Sequence, residues 1–180
     1  QGGGRLSGSQ TIARLNAELS KVHGEGTWVL GFSAGGVVLN RKLAAERKAD
    51  LGALAEGARG LLARTEGVAA AYTRAELLSG SKGGSPHFEA MRKTWNPARS
   101  GEIQMALQPN WLMTSSSSAT SHGSPHAYDT NVPFLFYGPR WVRPGRNDSR
   151  VEIADLAPTL ARILGIPAPA QSEGTVLRLD

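Results

Sequence analysis

The sequence predicts a fold of the α/β class, on three observations. Segments with apolar residues at helical spacing alternate with short β-prone apolar runs along the 180 residues. Hydrophobic residues make up 40% and charged residues 19%, the balance of a globular chain rather than a disordered one. The 22 glycines predict frequent tight turns between elements. At this length one ordinary domain with a real core is expected.

The elements follow in order. Residues 9–22 read as a helix, with Ile12, Leu15, Leu19 and Val22 at helical spacing, Ser7 or Ser9 as cap and Gly24 as stop. Residues 27–32 and 37–40 are apolar and β-prone, and the Ser33-Ala34-Gly35-Gly36 link between them predicts a hairpin. Residues 45–65 form a second helical stretch, with Leu51, Leu54, Ala58, Leu61 and Leu62 on one face, a break near Asp50 and Gly67 as its end. A strand over 68–73 and a helical turn over 74–78 complete a first half, residues 1–80, of helix, hairpin, helix and strand. That order suits a small α+β layer packed on something else.

The second half, residues 81–180, opens with the glycine-rich linker 80–84. Residues 86–95 read as a helix with Phe88 and Met91 inward. A strand over 101–107 alternates Ile103, Met105 and Leu107 with Glu102, Gln104 and Ala106. Residues 114–121 form a serine-rich loop. The run 132–137 has the apolar character of a buried strand. Residues 153–164 form a helix with Leu156, Leu160, Ile163 and Leu164 as its apolar face, Pro158 in its first turn and Gly165 and Pro167 at its end.

Composition excludes several classes. There is no cysteine, so neither disulfides nor zinc-thiolate sites are available and any metal must be held by His, Asp, Glu or hydroxyl oxygen. The net charge of +5 comes from scattered basic residues, without the continuous stripe that nucleic-acid binding needs. A milder consequence is attraction of anionic substrates. No apolar run is long enough to span a membrane, and no signal peptide is present. The chain opens Gln1-Gly2-Gly3-Gly4, without Met, and runs straight into an amphipathic helix, as a fragment would.

Two stretches could carry chemistry. Gly31-Phe32-Ser33-Ala34-Gly35 fits the nucleophile elbow G-x-S-x-G of serine hydrolases. The elbow needs a helix after the serine, and Val37-Val38-Leu39 is β-prone instead, so a plain hairpin turn is the stronger reading. An Asp followed by a histidine after Ser33 exists only as Asp50 with His87, His122 or His126. The second stretch, Thr120 to Asp129, places two of the four histidines in one loop. A neutral imidazole suits zinc, and Gly123 lets a metal approach closely. Gly123 and Pro125 argue against a helix there, so the four-residue spacing of His122 and His126 does not imply a shared metal. Asp129 reads as a turn cap or an arginine partner, and His23 and His87 as structural.

A series of short motifs in fixed order is more specific than any one of them. It runs Arg99-Ser100-Gly101-Glu102-Ile103, Gln108-Pro109-Asn110-Trp111, Thr120-Ser121-His122-Gly123, Tyr128-Asp129-Thr130-Asn131-Val132-Pro133, and Ile153-Ala154-Asp155-Leu156-Ala157-Pro158-Thr159-Leu160 with Leu164-Gly165-Ile166. This series resembles the C-terminal portion of the alkaline phosphatase superfamily. The branch it resembles most is the phosphate-irrepressible alkaline phosphatases, which share a core with type I phosphodiesterase/nucleotide pyrophosphatases. The likeness is strongest from Arg99 to Ile166 and weaker over residues 2–16 and 28–43.

The resemblance implies the C-terminal part of a phosphatase core sheet with flanking helices over 81–180, beside the α+β accessory layer over 1–80. It implies a hydrolase of phosphate mono- or diesters that works with two zinc ions and a phospho-enzyme on a Thr or Ser nucleophile. In that pattern the histidine of T-x-H-G ligates zinc and maps onto His122. No such role maps onto His126, Tyr128 or Asp129, which shape the loop. The nucleophile and the other ligands fall upstream of Gln1, so no catalytic residue is expected in this chain. Glu102 departs from the Asp of R-S-G-D. One ligand cannot hold zinc tightly, so the 180 residues alone are expected to be inactive. The expected partner is the N-terminal part of the same enzyme, and the expected compartment is periplasmic or secreted. The alternatives are a non-catalytic binding or structural module or split subunit, and a serine hydrolase using Ser33.

Overall fold

A computed structural model of the chain describes residues 2–33, 35–114 and 120–179. A short strand, β1 (Gly4–Ser7), leads into helix α1 (Gly8–His23). Ser7 is the cap: its hydroxyl accepts from the Gln10 amide at 3.4 Å, and its carbonyl accepts from the Thr11 hydroxyl at 2.8 Å. Leu15 and Leu19 are buried, whereas Val22 lies one turn too far along and is exposed. The hairpin forms from β2 (Val29–Ser33) and β3 (Gly36–Leu39). The expected helical stretch is two helices, α2 (Arg41–Glu46) and α3 (Leu51–Ala63). Asp50 makes the break, because its carboxylate accepts from the amides of Gly52 (2.7 Å) and Ala53 (3.2 Å) and so starts a new helix.

Strand β4 (Val68–Thr73) runs directly into α4 (Arg74–Ser79) through a reciprocal capping box between Thr73 and Glu76. Helix α5 (Phe88–Thr94), strand β5 (Ile103–Leu107) and strand β6 (Trp111–Thr114) follow. The strands form an antiparallel four-stranded sheet of order β2-β3-β5-β4 and a parallel pair, β1 with β6. The fold is therefore mixed α/β, with both parallel and antiparallel pairing.

Two layers cover the four-stranded sheet. Leu15 and Leu19 of α1 and Leu54, Ala58 and Leu62 of α3 pack with Val29, Val37, Ile103 and Met105. On the opposite face Leu77, Phe88, Met91 and Trp95 pack with Tyr72 and Ala106. This double cover buries both sets of alternating residues around β5. Glu102 and Gln104 are buried like Ile103 and Met105, at 3% and 2% exposure, because the layer around α5 closes the face on which they lie.

The chain divides into two compact units, Gln1–Val132 and Pro133–Asp180. In the second, a 3-10 turn (Ile153–Asp155) opens helix α7 (Leu156–Leu164), with Pro158 in its first turn and Gly165 at left-handed φ after its end. Two sequence expectations fail here. Residues 132–137 form no strand, and Leu135 is 87% and Tyr137 94% exposed. Pro133 supplies no amide, and among the described residues the run has no ladder partner to bury it. The face that α7 buries is also not the apolar stripe. Pro158, Thr159 and Ala161 are buried, while Leu160 and Leu164 are exposed. The polar bonds decide it: the Thr159 hydroxyl donates to the Asp155 carbonyl at 2.6 Å and accepts from the Leu177 amide at 2.9 Å, which turns that side inward.

Candidate functional site

The His122 loop leaves the end of β6 and returns to strand β5. Residues 115–119, most of the serine-rich loop, lie outside the described residues. His122 itself is exposed. Beyond it the chain turns through Ser124 and Pro125 into one helical turn, α6 (Ala127–Thr130). Gly123 has a left-handed backbone, φ +86°, that a residue with a side chain adopts only under strain.

Three contacts pin this loop. The Asp129 carboxylate accepts from the Ser124 amide at 2.9 Å and closes the turn between them. The His126 ring donates from Nε2 to the Leu107 carbonyl at 2.8 Å, which ties the loop to the last residue of β5. The Tyr128 hydroxyl accepts from the Asn110 amide at 3.0 Å, in the turn between β5 and β6. The Ser124 hydroxyl and amide hold the Asp129 carboxyl below the usual carboxylate range, helped by the nearby charges of His122 and His126. Asp129 is thus an anion at neutral pH that shapes the loop, and its partner is Ser124 rather than an arginine.

The fold separates the other candidates. Ser33 ends β2, and the next regular element is strand β3 with Ser33 opposite Gly36. The G-x-S-x-G stretch is therefore a hairpin and lacks the helix of a nucleophile elbow. His23 lies in the last turn of α1 against Trp28, ring centres 5.6 Å apart. His87 comes to the loop: its ring meets His126 edge-on with centres 4.9 Å apart. Sequence reasoning missed this pairing, since 39 residues separate the two and neither stretch carries a signal for the other.

The R-S-G-E stretch is built into the frame. Glu102 accepts from the Leu39 amide at 2.8 Å and from Arg41 Nε at 2.6 Å, joining β3, α2 and the start of β5. A side chain at Gly101 would collide with the Val37 carbonyl. Trp95 donates from its indole to the Gly101 carbonyl at 3.1 Å.

Among the described residues no three His, Asp or Glu side chains lie close enough to hold a metal ion. His122 stands exposed on a pinned loop and has no such companions among the described residues.

Comparison with known proteins gives a consistent picture. No family model matches the chain. It is 30% identical over 183 aligned residues to alkaline phosphatase PhoD of Zymomonas mobilis subsp. mobilis, covering 97% of this chain and 31% of that protein. It is 34% identical over 84 residues to alkaline phosphatase PhoV of Synechococcus elongatus, covering 46% of this chain and 15% of that protein. It is 40% identical over 86 residues to a protein of Myroides odoratus named calcium-transporting ATPase, covering 47% of this chain and 15% of that protein. The fold matches the crystal structure of wild-type alkaline phosphatase PafA with a TM-score of 0.86 and 22% identity, over 98% of this chain and 33% of PafA. The chain spans about a third or less of the length of these relatives. Its motifs and its fold together make it alkaline phosphatase-like, similar to the C-terminal portion of such enzymes.

Proposed function

We propose that the chain is the C-terminal part of a zinc-dependent phosphate-ester hydrolase and that His122 is its one metal ligand. The observation that carries this reading is the pinned loop, which presents His122 to solvent from a rigid base of β5 and the β5–β6 turn. Bound zinc would supply Lewis-acid stabilisation of charge on the phosphoryl group and its attacking or leaving oxygen. This chain's own residues hold and orient: His122 offers a neutral imidazole, and His126, Tyr128 and Asp129 fix where it stands. The nucleophile, a Thr or Ser, and the remaining ligands belong to the part of the enzyme outside this chain. The isolated chain is therefore inactive. Phosphate monoesters and diesters are both candidate substrates, and the proposed compartment is periplasmic or secreted.

The proposed partner is the rest of the same enzyme. Leu135 and Tyr137 of the extended run and Leu160, Leu164 and Ile166 around α7 are exposed large apolar side chains of the second unit. Such a surface marks an interaction site, and relatives that are about three times as long as the matched region have chain to cover it.

The test is zinc content and p-nitrophenyl phosphate hydrolysis, measured on the complete protein and on this chain alone. The complete protein should hydrolyse the ester and the chain should not. His122→Ala in the complete protein should lower zinc affinity by more than the roughly 10- to 100-fold that loss of an outer partner costs. Turnover by the chain alone, or unchanged zinc binding in His122→Ala, would overturn the proposal.

A further inference from the structure

We infer that His126 is a positioning residue for His122, a clasp on the loop that packs against His87. The inference rests on the reading of His122 as a metal ligand and adds what holds that ligand in place.

The geometry is specific. A carbonyl can only accept, so the 2.8 Å contact between His126 Nε2 and the Leu107 oxygen places the ring proton on Nε2. Leu107 ends β5, which pairs with β3 on one side and β4 on the other, so the clasp is fastened to an internal strand of the sheet. Two further rings pack against the His126 ring. His87 meets it edge-on at 4.9 Å, and Tyr128 lies at 5.5 Å with its hydroxyl engaged by Asn110. His87 stands just before α5 with φ +60°, a left-handed conformation uncommon for a residue with a side chain, and so contributes a fixed wall. An imidazole four residues from His122 is thereby oriented by hydrogen bond and by packing, and it anchors to β5 the loop that carries His122.

The rings packed against His126 are His87 from the start of α5 and Tyr128 from its own loop. Burial, followed by the charge of His126, pushes the His87 value below that of an ordinary histidine. His87 is therefore neutral at neutral pH and meets the His126 ring edge-on.

The experiment uses the complete protein with 15N-labelled histidine. His126 should show the Nε2–H tautomer at pH 7.5, and an Nδ1–H tautomer would overturn the inference. His126→Phe keeps an aromatic ring and removes the donor. It should weaken zinc binding roughly 10- to 100-fold and speed amide exchange at residues 122–126 at least about tenfold. His126→Gln restores an N–H donor and should recover most of both. Unchanged exchange in His126→Phe would overturn the clasp. His122→Ala runs in parallel: if zinc binding survives it, the ligand reading falls, and the clasp is then decided by the exchange rates alone.

Discussion

Glu102 shows how one side chain can be a departure from a family motif and a structural necessity at once. Both of its oxygens are occupied, one by the buried Leu39 amide and one by the half-exposed Arg41. The bond to Arg41 is screened by solvent and adds little, so the amide bond carries the weight. Glu102→Ala strands a buried donor and should cost about 2 kcal/mol; Glu102→Gln keeps an acceptor and should cost about 1 kcal/mol or less. Urea unfolding of the chain followed by circular dichroism measures both. Gly67 makes a parallel case. It is left-handed, φ +85°, and a side chain there would run into the Trp111 ring, so Gly67→Ala should destabilise by more than the roughly 1 kcal/mol of a simple backbone penalty.

At the level of elements, helix α7 depends on an acid at its start. The amides of Glu152 and Thr175 bond the Asp155 carboxylate and hold it below the usual carboxylate range. A carboxyl with a depressed native value stabilises fully above the ordinary value of about 3.9. It loses that contribution as pH falls through the native value. Hydrogen exchange at the Thr175 and Leu177 amides should therefore accelerate as pH is lowered below about 4, once the intrinsic pH dependence is divided out. In Asp155→Asn that acid-induced excess should vanish. The same helix shows where sequence reading stops. Its limits were legible from Pro158 and Gly165, because local chemistry sets them. Its buried face was not, because Leu156, Leu160, Ile163 and Leu164 predict an apolar contact, whereas Thr159 bonded to Leu177 fixes the inward side. The run 132–137 fails for the same reason: apolar character says that a segment seeks cover, not that cover lies within this chain. By contrast the hairpin, the Asp50 break and α5 with Phe88 and Met91 inward were legible, since caps, turns and local periods specify them. The proposal of His122 as a ligand comes from a motif series alone, because its exposed position gives no local sign of one.

For the whole molecule, the uncovered apolar surface lies mainly beyond residue 131, around the extended run and α7. The isolated chain should therefore bind a dye that reports exposed apolar surface and should associate at micromolar concentration. Leu160→Glu with Leu164→Glu should reduce both without lowering the Tm of the first unit. Sedimentation velocity and dye fluorescence would check this, and a dye-silent monomer would contradict it.

The turn between β5 and β6 carries one further consequence. Asn110 adopts a left-handed backbone, φ +63°, and gives its amide to Tyr128, while the adjacent Trp111 ring lies over Gly4 and Gly67. The stretch Gln108-Pro109-Asn110-Trp111 therefore links the start of the chain, the entry to β4 and the His122 loop as one connected unit. The indole of Trp111 is a built-in reporter of that unit: a change in its fluorescence should accompany every event that frees the loop.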